Sequence, residues 1–139
     1  MYLLDTDSLS HFHAGHARIT QRVRAVDTIE IGTTIVTHVE ILRARFENLL
    51  KASDADQLLL AQQRLDRSEA LLDEITTVRF DDAAAEEFER LRRVRRLKSI
   101  GRADLLISCI TLAHDATLVT RNLRHFREVP NLRSVNWVD

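Results

Sequence analysis

The chain has 139 residues, and its 20 Lys plus Arg stand against 21 Asp plus Glu for a net charge of −1. The molecule as a whole therefore has no electrostatic case for binding nucleic acid or an anionic membrane, and any such affinity must come from local clustering. The length suits one domain with a 45% apolar composition to fill its core, and three Gly and one Pro exclude a collagen-like, low-complexity or many-turned all-β chain.

Tyr2-Leu3-Leu4 is a short apolar run that ends on Asp5-Thr6-Asp7-Ser8, a cluster of turn and helix-cap residue types, so a strand followed by a helix start is expected there. Helical stretches follow around Leu9–Ala14 and Ile19–Val26, then a second strand over Ile29–Gly32. From Thr34 the period changes. Ile35, Val39, Leu42, Phe46 and Leu49 recur at spacings of four and three and form a core stripe on one helix face, and Leu58, Ala61, Leu65, Ser68 and Leu72 repeat the pattern in a long polar-faced helix. A third strand is expected over Thr76–Phe80, and an amphipathic helix with Ala84, Phe88, Leu91 and Val94 ends near Ser99-Ile100-Gly101.

From Asp104 to His114 nearly every residue is apolar, which predicts a helix buried on most sides; Cys109 within it reads as a small buried hydrophobe and suits a reducing compartment. Thr117–Thr120, a short helical turn over Asn122–Phe126, and Arg133–Asn136 complete the series, with Trp137 as a packing anchor. Strands separated by helical segments imply an α/β fold: one domain over residues 1–139, with a parallel sheet of about five strands, helices on both faces, and ligands at the C-terminal ends of the strands. Asp5 interrupts any signal-peptide core and no apolar run reaches the length of a membrane span, so a soluble cytoplasmic protein is expected.

Three acids occupy costly places. Asp5 directly follows an apolar strand, Asp104 opens the most apolar helix, and Glu40 lies beside the helical stripe, about 40° around the helix from Val36. Asp5 and Asp104 also suit turn and helix-start positions, and Glu40 an ordinary solvated helix face. If the three converge, their mutual repulsion is most readily relieved by a bound cation. Oxygen donors without a Cys or His cluster favour Mg²⁺, with Mn²⁺ as a substitute, and such an ion polarises a phosphoryl oxygen and supplies an activated water.

The arrangement resembles the PIN-domain ribonucleases, in particular the VapC toxins of bacterial toxin–antitoxin pairs. The residues that carry the resemblance are Leu3-Leu4-Asp5-Thr6-Asp7, Thr37-His38-Val39-Glu40-Ile41-Leu42, Gly101 through Ser108, Ala113 through Asn122, His125-Phe126, Val129-Pro130-Asn131-Leu132 and Asn136-Trp137. Their order and spacing cover nearly the whole chain. The resemblance implies a PIN fold and a Mg²⁺-dependent endoribonuclease with Asp5, Glu40 and Asp104 as its acidic, metal-holding core. It also implies a small VapB-like antitoxin that occludes the site, and a homodimer formed through helical faces.

Many PIN domains carry a fourth acid near the end of the fourth strand, where this chain has Thr120 and Asn122. Asn122 can ligate through its carbonyl or orient a water but adds no charge, and Asp115 lies about 16 Å along the helix from Asp104. Asp7 is a nearer candidate, and three acids suit one ion in the free protein better than two. Seven cations between Arg90 and Arg102 form the densest positive run; within it Arg102, and beyond it Arg121, are candidates for RNA phosphate, while Glu86, Glu87 and Glu89 offer the run ordinary ion-pair partners.

His11, His13 and His16 are the rival metal cluster, but His11 and His13 point to different helix faces and no zinc module surrounds them. Leu59 and Leu60, beyond the core stripe of their helix, leave apolar surface for a partner. Two further readings compete. One is a PIN-like RNA- or partner-binding module that lacks turnover, and the other a phosphatase of the haloacid dehalogenase kind with Asp5 as nucleophile, which the Leu9 position and the absence of a Lys motif disfavour.

Overall fold

The computed structural model describes residues 1–139. All five expected strands form: β1 (Tyr2–Leu4), β2 (Ile31–Thr34), β3 (Thr76–Val78), β4 (Thr117–Val119) and β5 (Arg133–Val135). They make one wholly parallel sheet in the order β3-β2-β1-β4-β5. Connecting them are α1 (Thr6–His13), α2 (Ala17–Arg24), α3 (Ile35–Lys51), α4 (Ala55–Asp73), α5 (Asp82–Leu91), α6 (Arg102–Ala113) and α7 (Leu123–Phe126). The chain winds outward from β1 to β3 and then returns to place β4 on the other side of β1. The order therefore reverses between β1 and β4, and in such sheets the crevice at the strands' C-terminal ends opens there.

Side chains of one strand alternate between faces, and β1 shows what this does. Leu3 packs with Leu91, Cys109 and Ile110 beneath α5 and α6, whereas Leu4 packs with Leu9, Ile19, Ile41 and Leu72 beneath α1, α3 and α4. Two cores on opposite faces explain why the strands read as unbroken apolar runs. Burial pushes the Cys109 thiol up to about 11, as expected for a packed hydrophobe. Trp137 is buried and sits against Tyr2 with ring centroids 4.7 Å apart.

Side-chain caps start four of the helices. Asp5 accepts from the Ser8 amide, Thr34 from Thr37, Asp54 from Gln57 and Asp81 from Ala84. Several boundaries differ from expectation: α1 begins at Thr6 rather than Leu9, and β3 ends at Val78 rather than Phe80. Thr28–Glu30 forms a 3-10 turn capped by Asp27, which delays β2 to Ile31. The α5 helix stops at Leu91, because Leu97 in the 3-10 turn Arg95–Leu97 is drawn into the core.

The α3 stripe also requires correction. Val39, Phe46 and Leu50 are 48%, 49% and 68% exposed, while Thr37 and Ile41 are buried. Val39 and Phe46 lie roughly 140–180° around the helix from that buried pair. The inward face is chosen instead by Thr37, whose hydroxyl meets Thr6, and by Ile41 in the Leu4 core. Leu58, Leu59 and Leu60 on α4 are exposed as well. No helix is long and apolar enough to cross a membrane.

Gly32 in β2 marks the tightest strand contact. A Cβ there would stand 2.8 Å from the Thr76 carbonyl oxygen and 3.3 Å from Leu3 Cδ2. Because the nearer atom is backbone of the paired strand, Gly32→Ala is expected to destabilise the chain by about 1–3 kcal/mol, seen as a lower urea midpoint at unchanged slope.

Candidate active site

The first acid is fixed twice. The Asp5 amide donates to the Val119 carbonyl at 3.0 Å, extending the β1–β4 ladder by one bond, and its Oδ1 accepts from the Ser8 amide at 2.9 Å. The side chain is therefore held at the switch point, only 9% exposed. Desolvation raises its pKa, and the Asp7 charge adds to the rise, while hydrogen bonds from Thr120 and Ser8 oppose it. No Lys, Arg or His pairs with it among the ion pairs of the fold.

Glu40 comes from α3, and its Oε1 accepts from the Thr6 hydroxyl at 2.7 Å. That hydroxyl lies 3.1 Å from the Thr37 hydroxyl, so one residue after Asp5 the chain is tied to the second acid. Asp104 lies in the first turn of α6, which precedes a parallel strand and so begins at the C-terminal edge of the sheet. Its Oδ2 is 3.1 Å from His125 Nε2. Asn122 is exposed just beyond β4; its amide donates to Thr120 Oγ1 at 3.0 Å, and its side chain makes no cap bond to α7. Asn122 and His125 line a hollow of about 350 Å³ with Arg96 and Arg124.

All four expected residues thus belong to one edge of the sheet. They do not, however, close into a cage, since no three Asp, Glu, His or Cys side chains stand within reach of one common ion. The donor chemistry still suits a hard divalent cation: the acids offer only oxygen, and a buried Asp5 carboxylate without a counter-charge is relieved by positive charge. Mg²⁺ keeps several waters and binds through one or two carboxylates, so a closed protein cage is not required of the site.

The candidate phosphate ligands stand as follows. Arg121 is engaged, with its Nε 3.1 Å from Asp139 Oδ2 and a terminal nitrogen 3.6 Å from Asp7, which gives Asp7 a counter-charge that Asp5 lacks. Arg102 is exposed, its guanidinium 5.3 Å from the Phe88 ring centroid. Within the basic run, Arg90 pairs with Glu87, Arg92 with Glu89 and Arg96 with Glu128. Asp115 lies beyond the far end of α6, paired with Arg133. Thr6, Thr37, Thr120 and His125 are the site residues that sequence reasoning gave no role. Thr6 resembles any cap residue, and nothing in the spacing of His125 joins it to Asp104.

Residues 2–132 match the PIN domain family. The chain belongs to that family. Its ribonucleases generally use divalent metal ions. Ribonuclease VapC2 of Rickettsia felis is 50% identical over 38 residues, a stretch that spans 27% of this chain and 28% of that relative. Among solved structures, the DNA-bound VapBC of Salmonella typhimurium superposes with a TM-score of 0.81 at 21% identity, covering 98% of this chain and 97% of that one. VapBC-1 of nontypeable Haemophilus influenzae gives 0.80 at 19%, covering 99% and 98%. These likenesses establish the PIN fold, with its five-stranded parallel sheet between helices.

The electrostatics of this PIN domain separate the charge of Asp5 from its cap. Asp5→Asn keeps an oxygen for the Ser8 amide and removes the desolvated charge, so the metal-free Tm at pH 7 is expected to hold or rise by about 2–6 °C. Asp5→Ala loses the cap and is expected to fall below the Asn variant by about 0.5–2 kcal/mol. Calorimetry of both variants in EDTA checks the order.

Proposed function

We propose that this PIN domain is a Mg²⁺-dependent endoribonuclease, the toxin of a VapBC-type toxin–antitoxin pair, acting on RNA in the cytoplasm. The observation that carries the reading is the buried, uncompensated Asp5 at the β1/β4 switch point, on one sheet edge with Glu40 and Asp104. The name of the Rickettsia felis relative and the VapBC assemblies among the structural likenesses support the same reading.

In this reading Asp5, Glu40 and Asp104 hold the ion, Mg²⁺ or in its place Mn²⁺. When bound, it polarises a phosphoryl oxygen and lowers the pKa of water. The chain's own contribution is positioning. Two fixed bonds aim the Asp5 carboxylate, Thr6 holds Glu40 by its hydroxyl, and His125 stands beside Asp104. Asn122 presents a free amide to a ligand or water, and Arg102 offers an exposed guanidinium two residues before Asp104. Arg121 reaches phosphate by exchanging Asp139 or Asp7 for it.

Incubating a structured RNA pool with partner-free protein tests this. Discrete cuts that require Mg²⁺, stop in EDTA and fall at least about a hundredfold in folded Asp5→Asn and Asp104→Asn are the expected result. RNA binding without cutting under any divalent ion would favour the non-catalytic module that the missing fourth acid suggests.

The partners in this reading are a VapB-like antitoxin and a second copy of the chain. The outward apolar residues of α3 and α4 supply surface for such contacts. The homodimer is assigned to the Val39, Phe46 and Leu50 stripe. Light scattering is expected to give twice the chain mass for the wild type and 16.0 kDa for Phe46→Glu.

A further inference from the structure

A second group of unpaired cations lies away from the basic run that the sequence displays. Arg45 of α3 and Arg64 and Arg67 of α4 line a hollow of about 270 Å³ together with Ser10 and His13 of α1 and Ser68 of α4. None of the three guanidiniums has a carboxylate partner among the ion pairs of the fold. Arg45 is held in place by one bond, from its Nε to Ser68 Oγ at 3.0 Å, which leaves its two terminal nitrogens and the Ser68 proton free. Three unpaired guanidiniums gathered around one cavity repel one another, and a planar fork of N–H donors matches phosphate oxygens in pairs.

His13 reports the field. Its Nε2 is buried without a partner, and burial together with the Arg45 and Arg67 charges lowers its pKa to about 4. At neutral pH the imidazole is uncharged, so the local excess of positive charge comes from the arginines alone.

The hollow also continues in both directions. Arg67 and His13 are shared with a neighbouring hollow of about 560 Å³ that holds Arg24, and Arg64 is shared with one of about 230 Å³ that holds Lys51. Arg24 and Lys51 are likewise without ion-pair partners, so the three joined hollows carry five cations against one acid, Glu74, and this line of charge suits a ligand with repeated negative charges. The line joins the acidic edge through two helices. Ser10 lies one turn after Thr6 on α1 and donates to its carbonyl at 2.8 Å. Arg45 follows Glu40 on α3 by five residues, roughly 7.5 Å of helix rise.

We propose that the Arg45–Arg64–Arg67 hollow binds the phosphodiester backbone of single-stranded RNA, holding the strand to one side of the bond at the acidic edge. The site rests on the endoribonuclease reading and adds to it the path of the substrate. Binding here reads charge and not base, so it acts across sequences and weakens with salt.

The test is fluorescence anisotropy of a labelled mixed-sequence 20-nucleotide RNA with the full chain in EDTA, across a salt series. Arg64→Gln/Arg67→Gln spares the bonded Arg45. It is expected to weaken binding about tenfold at 0.1 M salt and to flatten the logarithmic salt slope by about 1.4. Arg64→Lys/Arg67→Lys restores the slope. Arg90→Gln/Arg92→Gln removes the same charge from the ion-paired run and leaves the slope unchanged; an equal loss in that variant would reduce the effect to net charge and overturn the site.

An unchanged slope in the Arg64→Gln/Arg67→Gln variant overturns it too, and leaves the nuclease reading intact if Mg²⁺-dependent cutting persists. The same holds if the wild type cuts RNA with Mg²⁺ but binds none in EDTA. Displacement of the RNA by a poly-glutamate peptide at lower concentration than by unlabelled RNA would assign the hollow to an acidic protein partner instead. A wild type that neither binds nor cuts RNA sinks both readings.

Discussion

The bond from the Asp5 amide to the Val119 carbonyl is the joint on which the site is built. It carries the β1–β4 ladder one residue past the last strand position, at the point where the strand order reverses. The Asp5 side chain then turns back to cap α1. Backbone and side chain of one residue therefore fix both where α1 begins and where a carboxylate is buried. Thr6 follows at once, and its position sets the contact with Thr37 and Glu40, hence which side of α3 faces inward. A two-bond constraint at one residue propagates to the second acid without any contact between the two carboxylates.

Charge is segregated around that joint in a way a net value of −1 conceals. In the run from Arg90 to Arg96, three arginines meet glutamates at the surface, where such pairs contribute about 0–1 kcal/mol and mostly cancel the local field. The arginines of α3 and α4 have no such partners. The densest basic stretch keeps Arg93, Arg95, Lys98 and Arg102 unpaired, so the fold holds free positive charge in two places, and only the second escapes a reading of the sequence. Two of the pairs, Arg90 with Glu87 and Arg92 with Glu89, join residues three apart on one helix, whereas Arg45, Arg64 and Arg67 have no acid three or four residues earlier.

What the sequence makes legible follows from range. Strand runs such as Tyr2–Leu4 and the Asp5 cap depend on neighbours within four residues, and both appear as expected. Asp5, Glu40 and Asp104 stand out as candidates because an acid beside apolar residues is locally incongruous. Their companions do not. Thr6 and His125 gain meaning only from partners 34 and 21 residues away, and Thr and His at a cap or turn carry no local conflict. The α3 stripe misleads for a related reason: periodicity shows that apolar residues share a face, but not whether that face meets the chain's own core. Thr37, polar by type, takes the inward place because its hydroxyl finds Thr6.

The α3 helix shows how one element serves several purposes without conflict among them. Measured from Thr37 at about 100° per residue, Ile41 lies near 40° and Arg45 near 80° on one side, Glu40 near 60° on the other, and Phe46 opposite. Core, cation hollow, acidic edge and outward apolar stripe thus occupy separate sectors of a helix of 17 residues. A change at Phe46 leaves the Thr6–Glu40 bond in place, and one at Arg45 leaves Ile41 in its core. The connection between sectors runs through the helix backbone, whose register is set at one end by the Thr34 cap on the Thr37 amide. Since that cap, the Thr6 contact and the buried Ile41 all fall within the first two turns, the N-terminal half of α3 is the rigid reference for the acidic edge. The C-terminal half, exposed at Phe46 and Leu50, is free to answer to whatever it meets.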